Sequence, residues 1–255
     1  MTNIRSSSKT LALAVGLLSM ASLASATPQV QYTYTGETDG GLVMGIHTAD
    51  YNGGAYVGEF VMTTANPNFS PTLLTYCTDV GAFLSTTFNY TPTPLTSATG
   101  VSPAWISGGI DNVAKLWYNK KDSSTTAIQT AGLQVAIWEL LYNNLTGTVT
   151  ASAFYDHNNN GFYLTTDDAN SLAAANYAAT LINCLPNLGP EQNVEWLAPT
   201  DQNGQIEGSQ GLLYETPNPT TIPPSVPDAT STLALLGIAA GTLAAASRKL
   251  AANKV

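Results

Sequence analysis

The sequence predicts an α+β domain, in which a helical insertion interrupts a β-sandwich or barrel-like fold, followed by one C-terminal transmembrane helix. Segments that alternate every second residue lie on both sides of a central region in which apolar residues recur at every third or fourth position. The transmembrane helix is predicted by a run of 19 uncharged residues between Asp228 and Arg248. Strands, helices, strands and a membrane segment therefore follow one another along the chain.

Short strands dominate the first part of the domain. Residues 29–35 alternate, and residues 42–47, 55–62 and 73–78 are further runs rich in β-branched and aromatic side chains. Turn-forming residues such as Asn52-Gly53-Gly54 separate these runs. We therefore expect strands joined by tight turns.

Three helices are predicted in the central region, over residues 109–119, 126–143 and 168–184. The second has one apolar stripe, formed by Ile128, Ala131, Val135, Trp138 and Leu141. Beyond residue 189 the pattern returns to short strands at residues 193–197 and 205–214.

The N-terminal residues have the pattern of an export signal. Arg5 and Lys9 precede an uncharged run and the small residues Ala24-Ser25-Ala26, so residues 1–26 are predicted to be a cleaved signal peptide. Residues 27–216 would then form one extracellular domain. Residues 217–228 are rich in proline and predict an extended stalk.

Residues 229–255 predict a membrane anchor. The 19 uncharged residues would span roughly 28 Å as a helix, close to the thickness of a bilayer core. Arg248, Lys249 and Lys254 follow the helix and place the short tail on the cytoplasmic side.

The anchor resembles the PEP-CTERM sorting signals, particularly the variant that begins Val-Pro-Asp. The residues that match are Val226-Pro227-Asp228, the small apolar helix and Arg248-Lys249. Ala229-Thr230 replaces the usual pair of Gly or Ser residues. The resemblance implies recognition by an exosortase, attachment to the cell surface, and release into an extracellular matrix if the signal is cleaved.

Charge and composition exclude several classes of function. Between Thr27 and Asp228 three lysines face 17 acidic residues, a balance of 3 − 17 = −14, which repels nucleic acid and anionic lipid. The chain has two histidines and lacks the common hydrolase and phosphate-binding motifs, so we expect no turnover enzyme. A secreted carbohydrate-active enzyme is a weaker alternative, because no catalytic pair can be named.

The two cysteines allow two interpretations. An even number of cysteines in an exported chain favours a Cys77–Cys184 disulfide. Three other segments favour a different chemistry: Tyr76-Cys77-Thr78-Asp79, the helical Leu133-Gln134-Val135-Ala136-Ile137-Trp138, and Ser209-Gln210-Gly211-Leu212-Leu213-Tyr214. In this order they resemble the thioester domains of bacterial surface adhesins.

In that family a cysteine displaces ammonia from a glutamine side chain and forms an internal thioester. An amine or hydroxyl on a partner protein or glycan later opens the bond and becomes attached. The resemblance implies that Cys77 and Gln210 form the thioester, and that Gln134, Trp138 and Tyr76 support a dry pocket. Gln134 is the alternative acyl donor.

The predicted function is therefore an exported, surface-anchored protein that becomes covalently attached to a partner surface or matrix. The alternative is a non-reactive extracellular structural or matrix protein with a Cys77–Cys184 disulfide.

A calcium loop is suggested by the spacing of Asp156, Asn158, Asn160 and Asp167, which supply oxygen ligands around Gly161. The last position carries Asp where Glu is usual, and an asparagine-rich turn explains the same residues. Calcium is the one cofactor that the sequence suggests.

Overall fold

The computed structural model describes residues 29–38, 41–80, 84, 86–95, 105–157, 161–191, 193–200 and 210–216. The predicted signal peptide (1–26), stalk (217–228) and sorting segment (229–255) lie outside these residues. Within the described ranges, no helix combines the length and apolarity needed to cross a membrane.

The α+β class is confirmed, with two antiparallel sheets and three α-helices in the described part of the chain. The helices are α1 (Ser107–Lys120), α2 (Ala127–Tyr142) and α3 (Ala169–Cys184). The strands are β1 (Val30–Glu37), β2 (Leu42–Thr48), β3 (Asn52–Val57), β4 (Phe60–Thr63), β5 (Thr72–Thr75), β6 (Thr87–Pro94), β7 (Phe162–Leu164), β8 (Val194–Pro199) and β9 (Leu212–Glu215).

The larger sheet has six strands in the order β5-β4-β1-β6-β8-β9, and its two edges meet at Cys77. Cys77, just after β5, forms an antiparallel bridge with Leu212 at the start of β9. The N–H of Thr78 donates to the Gly211 carbonyl at 2.9 Å, and the N–H of Leu213 donates to the Tyr76 carbonyl at 3.0 Å. The first and last parts of the domain are thereby joined.

Helix α2 lies at the centre of the domain. Its N-terminus is capped by Thr126, whose side chain accepts a hydrogen bond from the N–H of Gln129. All residues from Thr130 to Tyr142 are buried, because α1, α3 and the smaller sheet, of order β3-β2-β7, pack around the helix. A helix buried on every side can present a polar group such as Gln134 to the interior only if that group is hydrogen-bonded.

The strands differ from the expectations by one divided run and two additional strands. Gly58 has φ +151° and divides the run at 55–62 into β3 and β4, which belong to different sheets. Strand β6 was not among the expected strands, and it contains Pro92 and Pro94. Its pairing with β1 ends at Tyr90, so these prolines pair only with β8. The short strand β7 was also not expected, and the residues before position 210 in the predicted last strand lie outside the described part.

Candidate functional site

The side chains of Cys77 and Gln210 meet where the two sheet edges join. The sulfur of Cys77 lies 2.5 Å from Oε1 of Gln210. This distance is short even for an O–H···O hydrogen bond, and sulfur is larger than oxygen. A carbonyl bond is about 1.2 Å long, so the carboxamide carbon is at most about 3.7 Å from the sulfur. That separation approaches the 3–3.5 Å or so of a reactive arrangement.

Gln134 fixes the backbone of Cys77. In the bridge with Leu212, the hydrogen bonds to β9 are made by the neighbours of Cys77, so its own N–H and C=O point away from β9. The Cys77 N–H donates to Oε1 of Gln134 at 2.9 Å, and Nε2 of Gln134 donates to the Cys77 carbonyl at 2.7 Å. The fully buried Gln134 therefore occupies the place of a missing neighbouring strand.

Asp79 and Gly211 fix Gln210. Nε2 of Gln210 donates to the backbone carbonyl of Asp79 at 3.1 Å, and the N–H of Gly211 donates to Oδ2 of Asp79 at 3.0 Å. A side chain at position 211 would have no room, because a Cβ would overlap the indole nitrogen of Trp196 and approach Oγ1 of Thr78 to 2.7 Å. Glycine thus allows the chain to approach Cys77 closely.

Burial controls the protonation of the site. It raises the pKa of the Cys77 thiol well above its usual value, and the nearby Asp79 carboxylate raises it further. Burial also raises the pKa of Asp79 to about 7, although the hydrogen bond from Gly211 opposes this shift. Burial therefore favours the protonated form of both groups, the thiol of Cys77 and the carboxylic acid of Asp79.

Aromatic side chains hold the segment between Cys77 and Val80. The hydroxyl of Tyr142, on α2, donates to the Thr78 carbonyl at 2.8 Å. The indole N–H of Trp196, on β8, donates to Oγ1 of Thr78 at 3.1 Å, and the ring of Trp105 packs edge-on against Trp196 at 5.3 Å.

A cavity of about 380 Å³ leads to Gln210. The described residues that line it come mainly from β1, β3 and β4 and from the segment after Cys77: Tyr34, Glu37, Tyr51, Gly54, Ala55, Tyr56, Phe60, Val80, Leu84 and Gln210. The hydroxyl of Tyr34 donates to Oε1 of Glu37 in this wall. Cys77 is fully buried, whereas Gln210 is partly exposed, so the cavity gives access to the carboxamide.

The structure thus brings together Cys77, Gln210 and Gln134, three of the residues selected from the sequence. Tyr76 is fully buried beside Cys77. Trp138 lies one helical turn after Gln134 and packs against the ring of Phe162 at 5.5 Å, on the side of the smaller sheet.

The two cysteines are both free and have different neighbours. The sulfur of Cys184, at the end of α3, donates to the Leu181 carbonyl at 3.1 Å. The disulfide expected in the alternative interpretation is therefore not formed in this structure.

The predicted calcium loop is only partly described. Asn158 and Asn160 lie outside the described residues, whereas Asp156 and Asp167 lie within them. No three His, Cys, Asp or Glu side chains in the described ranges are grouped to hold a metal. The calcium site stays a prediction.

Several residues of the site were missed in the sequence. Asp79 is two residues after Cys77, and Gly211 directly follows Gln210. This proximity in the sequence was the signal that could have identified them. Nothing in the sequence indicates that Trp196 and Tyr142 contact Thr78, because they are 118 and 64 positions away.

Comparisons with protein-family models, with curated proteins and with solved structures give no significant match.

Proposed function

We propose that the domain forms an internal thioester between Cys77 and Gln210, through which it becomes covalently attached to an amine or hydroxyl on a partner surface or matrix. The contact of 2.5 Å between the Cys77 sulfur and the Gln210 carboxamide carries this proposal. A primary amide resists attack by a thiol in water, so the reaction needs both groups to be held together in a buried site.

Gln210 is a better acyl donor than Gln134. Both polar atoms of the Gln134 side chain are occupied by the backbone of Cys77, at 2.9 and 2.7 Å. The carboxamide of Gln210 instead faces the sulfur. Gln134 therefore positions the nucleophile, and Gln210 supplies the acyl group.

The partner would reach the thioester through the cavity lined by Gln210. The acyl carbon would face this cavity while the sulfur stays beneath it, because Cys77 is fully buried. Attack by an amine or hydroxyl would join the partner to the Gln210 side chain and return Cys77 to a thiol. The protein reacts once and stays attached, so it is not a turnover enzyme.

The surface location and the finer fold belong to the same proposal. The signal peptide, stalk and exosortase signal would export the domain and hold it at the membrane, with later release into the matrix. A sandwich or barrel-like arrangement is supported by the junction of the two sheet edges at Cys77. Deletion of residues 226–255 should release the protein into the medium, and retention of the truncated protein in membranes would contradict the anchor.

Intact mass spectrometry tests the thioester. The wild-type chain should be lighter than its calculated mass by about 17 Da, through loss of ammonia, and should gain the mass of methylamine when treated with it. Cys77→Ala and Gln210→Ala should each abolish both effects, whereas Gln134→Ala should lower only the yield. Cys184→Ala is the matched control and should react like the wild type, since its sulfur bonds within α3.

Two results would contradict the proposal. A mass lowered by about 2 Da, restored by a reductant and unaffected by methylamine, would establish the disulfide and a non-reactive structural protein. Amine capture lost in Gln134→Ala but retained in Gln210→Ala would move the thioester to Gln134.

A further inference from the structure

The Asp79 side chain lies close to the proposed thioester and has no role in the reaction as described so far. Asp79 is two residues after Cys77, and side chains two apart in an extended segment project from the same face. The Asp79 side chain contacts Gly211, through Oδ2, and the Cys77 sulfur contacts Gln210. Because Gln210 and Gly211 are adjacent, the two side chains face the same segment. The carboxyl group is buried, and its second oxygen, Oδ1, has no hydrogen-bond partner among the described residues.

The proposed reaction needs a proton to move from the Cys77 thiol to the Gln210 nitrogen. The thiol must lose its proton as the sulfur attacks, and the Gln210 nitrogen must gain one to leave as ammonia. Burial holds Cys77 in the thiol form, so thiolate is not already available. The leaving nitrogen donates to the backbone carbonyl of Asp79 at 3.1 Å. The Asp79 carboxylate acts on the Cys77 thiol through its charge. Asp79 is therefore a neighbour of both the thiol and the leaving nitrogen.

We propose that the Asp79 carboxyl group carries the proton from the Cys77 thiol to the departing nitrogen of Gln210. This inference rests on the proposed thioester. The carboxylate takes the proton from sulfur as the sulfur–carbon bond forms. The resulting carboxylic acid protonates Nε2, the carbon–nitrogen bond breaks, and ammonia leaves. Asp79 ends as a carboxylate, so the thiol and the amide give the thioester and ammonia with no other reactant.

The pH dependence follows from the environment of Asp79. Among the described residues, the Cys77 thiol and the Tyr142 hydroxyl interact electrostatically with the Asp79 carboxylate. Burial raises the pKa of both groups above their usual values. Burial raises the pKa of Asp79 to about 7. Only the carboxylate can accept a proton, so the rate of thioester formation should rise with pH and level off above about 7.

The test uses the full chain, recovered unfolded from inclusion bodies and refolded in mild detergent between pH 5 and 9. Thioester formation is followed by the loss of about 17 Da and by the disappearance of one free thiol. Asp79→Asn keeps an acceptor for Gly211 but cannot carry the proton, so its rate should fall by about 100-fold or more and lose the plateau above pH 7. Asp79→Glu should restore part of the rate, and Asp122→Asn, at an exposed site, should match the wild type.

The outcomes separate this inference from the proposed function. If the wild type never loses ammonia, the thioester itself is refuted. If Asp79→Asn forms the thioester at the wild-type rate with the wild-type pH profile, only the role of Asp79 is refuted. Should Asp79→Asn not refold, as judged by circular dichroism, the wild-type profile decides: a rate independent of pH between 5 and 9 overturns the inference.

Discussion

Replacement of Gln134 by alanine should destabilise the fold even when no thioester can form. The side chain bonds both the N–H and the C=O of Cys77 in a fully buried location. We place the change in a Cys77→Ala background, so that loss of the cross-link does not contribute. Cys77→Ala leaves the N–H and C=O of residue 77 in place. Gln134→Ala then removes the hydrogen-bond partner of each group.

The size of the effect follows from the two groups left without partners. A buried donor or acceptor without a partner costs about 1–3 kcal/mol, and water entering the vacated space restores part of it. We therefore expect a loss of about 2–4 kcal/mol in the free energy of unfolding. For a domain of this size, that loss corresponds to a fall of roughly 5–15 °C in the midpoint of thermal unfolding.

Calorimetry or circular dichroism measures this loss by comparing thermal unfolding of Cys77→Ala with that of the Cys77→Ala, Gln134→Ala double variant. Gln129→Ala is the matched control, because Gln129 is on the same helix and its side chain accepts an exposed hydrogen bond, from the N–H of Thr125 at 3.2 Å. It should change the free energy of unfolding by no more than about 0.5 kcal/mol. Equal midpoints for Gln134→Ala and Gln129→Ala would refute the argument that Gln134 replaces a strand.

Three further perturbations test other parts of the structure. Gly211→Ala should lower the free energy of unfolding by about 1–3 kcal/mol and lower the thioester yield in the mass assay, because the added Cβ would overlap Trp196. Gly189→Ala is the control and should do neither, because the nearest atom to its added Cβ is 3.6 Å away. Equal effects of the two changes would contradict the close approach at Gly211. Burial raises the pKa of Glu139 to about 8 from 4.5, so the native state keeps a proton that the unfolded chain releases, and stability should fall as the pH rises from about 4.5 to 8. Urea unfolding should show this fall, by at most about 1.4 kcal/mol per pH unit for each such group, and Glu139→Gln should reduce it; an unchanged slope would refute the assignment. Excess chelator should lower the thermal midpoint if the loop at Asp156 binds calcium, and an unchanged midpoint would leave only a turn.

The helices could be predicted from their apolar spacing, and the proposed Cys77–Gln210 pair from the resemblance to thioester domains. The apolar spacing over residues 126–143 predicts α2 to within one residue at either end. Cys77, Gln134 and Gln210 were selected because their segments resemble that family, and in the structure both glutamines contact Cys77.

The strand boundaries and the role of Asp79 depend on contacts that no local pattern reports. Prolines argue against a strand at β6, yet they are tolerated where β1 no longer pairs with it. The one sequence signal for Asp79 is its position two residues after Cys77, and that position does not show that its carboxyl group is buried. The hydrogen bond to its carboxyl group comes from Gly211, which is 132 positions further along the chain.

The location of the proposed bond links its chemistry to the stability of the fold. It would join positions 77 and 210, which are 133 residues apart and lie where the two edges of the larger sheet meet. By analogy with a disulfide, closing a loop of about 100 residues or more stabilises the native state by about 5 kcal/mol. Attack by a partner would remove this internal cross-link and create one between two molecules. The sheet edges would then be joined by the backbone hydrogen bonds between Thr78 and Gly211 and between Leu213 and Tyr76. The reacted protein should therefore unfold more readily than the unreacted one.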